Sequence, residues 1–233
     1  MADRSILIGD ALVSYELQYS VRSSFVISVK PDGRVVVKAP AGIVGFDVEA
    51  QLQKRGPWIV KHVERIRMRK PTPAVRYVDG EIHKYLGREL TLRVIPERRS
   101  SARIVGDELV VECADTANVP AILAKWYRAT ADDVLPEIAR PWIDKISVLG
   151  VAPSRITVRT MVSRWGSCSP SGRITLNSEL IKTAHECIEC VIVHELCHLV
   201  HRNHSQDFYD LLGHLLPDWR TRRDKLERGM RLR

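Results

Sequence analysis

The chain has 233 residues, 45% hydrophobic and 27% charged; this ordinary globular usage excludes a disordered or fibrous protein and allows one large domain or two smaller ones. Its formal net charge of +8 attracts anions through a salt-screened field, but no aromatic ladder of the kind that stacks bases interleaves the basic residues. Asp3, Arg4, Asp10 and Glu16 break up the stretch from Met1 to Tyr19, excluding a signal peptide or membrane span there, and the odd set of five cysteines is not a secreted disulfide framework, so a cytoplasmic protein with no membrane partner is expected.

From Ser5 to Pro40 the pattern is short β-rich runs, with a hairpin of Ser24 to Lys30 and Arg34 to Lys38 around Pro31-Asp32-Gly33. Asp47 caps a helix running to about Arg55, and Pro57 opens a second that ends near Arg69, before Pro71-Thr72-Pro73. Tyr77 to Cys113 alternates again, with turns at Asp79-Gly80, Leu86-Gly87 and Gly106-Asp107, and reads as an antiparallel meander. Helical spacing follows from Val119 to about Leu149, where Pro136 and Pro141 are expected to kink or split the helix. Arg155 to Met161 and Arg173 to Leu176 read as two strands around the turn Ser169-Pro170-Ser171-Gly172. A long helix starts near Thr183, and a charged terminal helix near Arg220. No internal repeat is visible. The expected class is α+β, with a β-rich N-terminal domain over 1–110 carrying a helical insertion and a catalytic domain over 111–233.

The helix after Thr183 carries the chemistry. His194 and His198 are four residues apart on one face, about 6 Å along the axis, so two imidazoles can share one metal ion. Glu195 is rotated about 100° from His194, which lets its carboxylate border the ion as a general base without ligating it. Catalytic zinc takes three protein ligands and a water, so a third donor is required. His201 lies about 10 Å along the axis from His194, too far in an unbroken helix. His204 serves if the helix ends first, and Asn203, tolerant of the left-handed conformation, offers the stop. The spacing from His198 to His204 matches the metzincin pattern, although His201 stands where that pattern has glycine and no Met-turn is identifiable. Cys187 and Cys190 share the face of His194 and read as small core residues rather than a redox pair.

The run Ser163-Arg164-Trp165-Gly166-Ser167-Cys168, then Thr175-Leu176-Asn177 and Leu180, His194-Glu195-x-x-His198, and Asn203-His204-Ser205 with Phe208 closely resembles the YgjP-like family of predicted metal-dependent hydrolases. Leu86-Gly87-Arg88-Glu89 and Pro217-Asp218-Trp219-Arg220 extend the likeness over nearly the whole chain, which is more distantly similar to SprT-like proteases. The resemblance implies a gluzincin-like zincin core, a small antiparallel sheet beside an active-site helix, with zinc on His194, His198 and His204 and with Glu195 catalytic.

The expected activity is zinc-dependent hydrolysis of an amide bond in a peptide or protein substrate, with Glu195 as general base and with Arg164, Tyr209 and His214 as candidate oxyanion donors. Two other readings accompany it: phosphoanhydride hydrolysis of an anionic substrate such as a nucleotide, and a nucleic-acid-associated protease or binding module. The run from Arg164 to Cys168 has two readings: packing, with Trp165 and Cys168 in the core and Gly166 relieving a bend, which is favoured for Trp165 and Cys168, and an edge beside the metal helix that pairs with an extended peptide, which stays open.

Overall fold

The computed structural model describes residues 3–21, 24–30, 32–42, 45–67 and 75–229. The expected breaks at Pro31 and Pro71-Thr72-Pro73, and the end of the second helix near Arg69, lie outside them. The chain divides into two compact units, 1–74 and 75–233. The division falls earlier than the expected 110/111 because the second β-rich stretch shares its core with the histidine-bearing helix.

Unit 1–74 contains β1 (Asp3–Ile8), β2 (Ala11–Ser20), β3 (Val26–Val29), β4 (Val35–Pro40), α1 (Gly45–Lys54) and α2 (Gly56–Arg67). The sheet order is β1-β2-β4-β3, with β2 and β4 parallel and both outer pairs antiparallel. Alternation along β2 buries Val13 and Tyr15 while Leu12 and Ser14 face solvent. The buried face packs on Val48 and Leu52 of α1 and on Ile59 and Val63 of α2.

Unit 75–233 begins with β5 (Ile82–Tyr85), β6 (Arg88–Pro96), β7 (Ser101–Val105) and β8 (Glu108–Cys113), in the order β5-β6-β8-β7 with β6 and β8 parallel. It is therefore not an antiparallel meander. Its winding repeats that of the first sheet, an internal repeat of topology that the sequence does not display. Leu86 and Gly87, both at positive φ, make the β5–β6 turn. A side chain at Gly87 would stand 2.7 Å from the Ala184 Cα, so this turn abuts the residue that opens the histidine-bearing helix.

The next helix, α3 (Val119–Ser147), is continuous through Pro136 and Pro141. An interior proline costs about 3 kcal/mol. Here the buried stripe Val119, Leu123, Tyr127, Ala131, Leu135, Ala139, Trp142 and Ile146 runs past both prolines, so packing on one face holds the helix together.

Three strands follow: β9 (Arg155–Arg159), β10 (Gly166–Cys168) and β11 (Arg173–Asn177), in the order β10-β11-β9. The expected hairpin partners, β9 and β11, are instead parallel, and the turn at 169–172 joins β10 to β11. The two edges of this sheet differ. Along β9 the Arg128 guanidinium of α3 donates to the Val158 carbonyl at 2.7 Å while pairing with Asp132, which blocks further strand addition. On β10, Trp165, Ser167 and Ser169 are the residues that bond to β11, as Asn177 N to Trp165 O (2.8 Å) and Ser169 N to Arg173 O (2.9 Å) show. Antiparallel alternation then turns the N–H and C=O of Gly166 and Cys168 outward.

A 3-10 turn over Ser178–Lys182 leads into α4 (His185–Cys197), followed by α5 (Gln206–Leu215) and α6 (Trp219–Gly229). Helix α4 is apolar nearly all round and sits inside the unit, packed on α3, α5, α6, β10 and β11. Its outer turns are held by ion pairs: Arg222 of α6 reaches Glu189 at 2.6 Å, Lys225 pairs with Glu186, and the Trp142 indole donates to Glu189 at 3.1 Å. Among the described residues, no helix is long and apolar enough to cross a membrane.

Candidate metal centre

Helix α4 ends earlier than Asn203. Cys197 is its last residue, His198 is the C-cap in right-handed conformation, and the chain tightens through Leu199 N to Leu196 O and Val200 N to Cys197 O. Asn203 is not left-handed; among the described residues, Tyr77 and Leu86 are the non-glycine positions at positive φ. The turn is instead locked by His198, whose Nδ1 lies 3.0 Å from the His201 carbonyl oxygen. That contact makes Nδ1 the protonated nitrogen and leaves Nε2 as a donor for a metal. His201 thus contributes its backbone, and its imidazole lies outside the cluster.

Past the turn, the Ser205 hydroxyl caps α5 by accepting from Phe208 N, and His204, just before the cap, points back at α4. His194, His198 and His204 each offer a ring nitrogen, all within 4.8 Å of one another, and the Nε2 atoms of His194 and His204 face each other at 3.0 Å. Nitrogens on a tetrahedral ion with arms of about 2.0–2.1 Å stand about 3.3 Å apart, so the set fits one small cation. Burial, with His198 and His204 beside it, pushes the His194 imidazole down to about 4, and burial with His198 lowers His204 as well. Neutral rings keep the lone pairs that a metal requires.

Phe208, fully buried, forms the floor: its ring centroid lies 5.0 Å from His194, 4.7 Å from His198 and 4.8 Å from His204. Its burial contributes about 2–3 kcal/mol and excludes water from that side of the cluster. Tyr209 stacks on Trp219 at 5.4 Å, with its ring 6.1 Å from that of His204. His214 sits in the last turn of α5, exposed and outside this cluster of rings.

Glu195 is 6% exposed and packs against β10. Burial pushes its carboxyl up to about 7, partly offset by the Arg164 guanidinium. Gly166 is a strand residue, so it relieves no bend; its missing side chain makes room for Glu195. Trp165 and Cys168 are half-buried against the core, in keeping with packing roles. The loop carrying Arg164 is held by a residue that sequence reasoning assigned no task. The fully buried Asn177 donates from Nδ2 to the carbonyls of Met161 (2.8 Å) and Arg164 (2.9 Å), and its Oδ1 accepts from Met161 N (3.3 Å) and Glu179 N (3.1 Å). An asparagine between a strand and Ser-Glu was its only signal.

Cys187 and Cys190 point their thiols at the Arg222 and Trp219 carbonyls of α6, 3.7 and 3.5 Å away. Burial pushes Cys190 up to about 11 and raises Cys187, which favours the thiol form at both and suits small residues packed in the core.

A family model described as YgjP-like, metallopeptidase domain, matches residues 23–229. No curated protein matches this sequence. Among solved structures, the metallopeptidase zymogen of Pyrococcus abyssi abylysin is similar over 42% of this chain and 95% of that one, at 18% identity and a TM-score of 0.37.

Proposed function

This chain belongs to the YgjP-like metallopeptidase family, and from that premise we propose that it is a zinc-dependent peptidase, with His194, His198 and His204 as ligands and Glu195 as general base. The observation that carries the reading is the convergence of three imidazoles beside a buried carboxylate at an open strand edge. A zinc ion there supplies a Lewis acid for the scissile carbonyl and lowers the pKa of a bound water. All-imidazole ligation suits zinc, and the third donor is a histidine, so within the zincins this core departs from sites whose third ligand is glutamate.

The residues divide the remaining work. Glu195, in a site shielded by Phe208 and β10, takes the proton of the attacking water and returns it to the leaving amine. The outward N–H and C=O groups of Gly166 and Cys168 pair with an extended peptide, which lays the scissile bond along the Glu195 side of β10. Arg164, whose charge reaches Glu195, is the first candidate donor for the developing oxyanion, with Tyr209 second. The five cysteines are all unpaired, which supports a reducing, cytoplasmic setting.

The test is a peptide-library screen of zinc-loaded parent and Glu195→Gln proteins, with phosphate release from nucleotides measured in parallel. Peptide cleavage that falls about 100-fold or more in Glu195→Gln, at unchanged zinc content, is expected. Phosphate release without peptide cleavage would refute the peptidase reading.

A further inference from the structure

Gly166 occupies a position where backbone freedom is not needed. It lies inside β10, paired in register with Leu176, and its φ is not positive. What it lacks is room. A Cβ at Gly166 would stand 2.7 Å from both Cγ and Oε1 of Glu195 and 2.9 Å from Cδ, closer than such atoms ever approach. The Glu195 side chain has little freedom to yield, because α4 is buried around it: Val191, Ile192, Leu196 and Cys197 are all core residues. Strand and carboxylate therefore touch across a bare Cα. The same residue turns its N–H and C=O to the open edge of the sheet, where the proposed substrate pairs. One side of Gly166 borders the base, and the other borders the peptide.

We propose that Gly166 is a positioning residue: its bare backbone seats the Glu195 carboxylate against β10 and so fixes the base relative to a peptide paired along that strand. The consequence for turnover rests on the peptidase reading above, whereas the steric contact with Glu195 does not. A methyl group at position 166 overpacks the contact and pushes the carboxylate away from the edge. A displacement of roughly 1 Å suffices to cost about 100-fold in rate when a reacting group is involved, so turnover suffers before folding does.

The experiment is a double-mutant cycle on the zinc-saturated full chain, with parent, Gly166→Ala, Glu195→Ala and the double variant. Thermal unfolding, zinc affinity from competition with a chromophoric chelator, and kcat and KM on the best peptide are measured. Gly166→Ala is expected to lower Tm by about 5 °C in the parent but by no more than about 1 °C in the Glu195→Ala background. Its zinc affinity stays within about threefold, while kcat falls about 10-fold or more with KM within about threefold. Equal Tm losses in the two backgrounds overturn the proposal, because the clash is then not with Glu195, and so does an unchanged kcat. If Gly166→Ala alone does not fold, recovery of folding in the double variant supports the proposal and failure of both overturns it. A parent that cleaves no peptide defeats the peptidase reading, and the thermal cycle then decides the Glu195 contact by itself.

Discussion

Replacing Asn177 with alanine removes the clamp on the segment from Met161 to Arg164. Three of its four hydrogen bonds lie between 2.8 and 3.1 Å, and the fourth is 3.3 Å. A neutral bond of this kind contributes about 1 kcal/mol net, and a buried partner left unsatisfied costs about 1–3 kcal/mol. Arg164 is exposed and Met161 half-buried, so water reaches part of what is freed. The total comes to about 3 kcal/mol, or roughly 6–12 °C in Tm for a unit of this size. Zinc affinity is expected to hold, because the three imidazoles stand on α4 and on the turn after it, while peptide turnover falls as β10 loses its anchor. Asn177→Asp sharpens the test: it keeps an acceptor for the Met161 and Glu179 N–H groups but turns a carboxylate oxygen toward two carbonyls, so it should destabilise at least as much as alanine. Thermal denaturation of both variants by circular dichroism, alongside zinc titration, decides the matter. An Asn177→Ala protein that unfolds within about 2 °C of the parent, or an Asp variant clearly more stable than the Ala variant, would refute the clamp.

Two further outcomes are expected. His204→Ala should weaken zinc binding by about 100-fold or more, whereas His201→Ala should leave it nearly unchanged because His198 bonds to the backbone of His201; chelator competition on both proteins checks this, and the reverse result reassigns the third ligand. His83 is buried, 3.8 Å from Glu81 and in the field of Lys182 beside the Tyr77 ring, and burial lowers its pKa from 6.5. The folded state thus resists a proton that the unfolded state accepts: stability is present above pH 6.5 and lost as pH falls below it. Urea unfolding at pH 7.5 and about pH 5.5 should show a larger loss for the parent than for His83→Gln, and equal losses would contradict the assignment.

The reach of the sequence differs from segment to segment for identifiable reasons. Helical periodicity placed His194, Glu195 and His198 on one element, and a fixed spacing to His204 was enough to bring the third ring to the same point. The way the chain turns there is not legible in residue type. Asn203 has the residue type of a helix stop, but the His198 side chain bonding to the His201 carbonyl does that work, a contact with no sequence signature. Strand positions are legible in the sequence, and strand pairing is not. The alternation in 82–113 and 155–177 says which residues face a core, whereas parallel pairing of β6 with β8 and of β9 with β11 depends on which neighbour each strand reaches in space. Pro136 and Pro141 failed to break α3 because the apolar stripe on its far side outweighs two lost hydrogen bonds. The role of Gly166 is visible only once Glu195 lies against it.

The ion pairs between α6 and α4 have a consequence for the order of synthesis. Glu186 and Glu189 precede the histidines, whereas their partners Arg222 and Lys225 lie beyond all three. A chain emerging from the ribosome therefore displays its histidine-bearing segment before the residues that pair with the first turns of α4, and a chain cut short before Arg222 lacks both pairs. The partners of Glu186 and Glu189 thus come from the last of the described helices, and the segment with His194, Glu195 and His198 is made before the pairs that brace its helix can form.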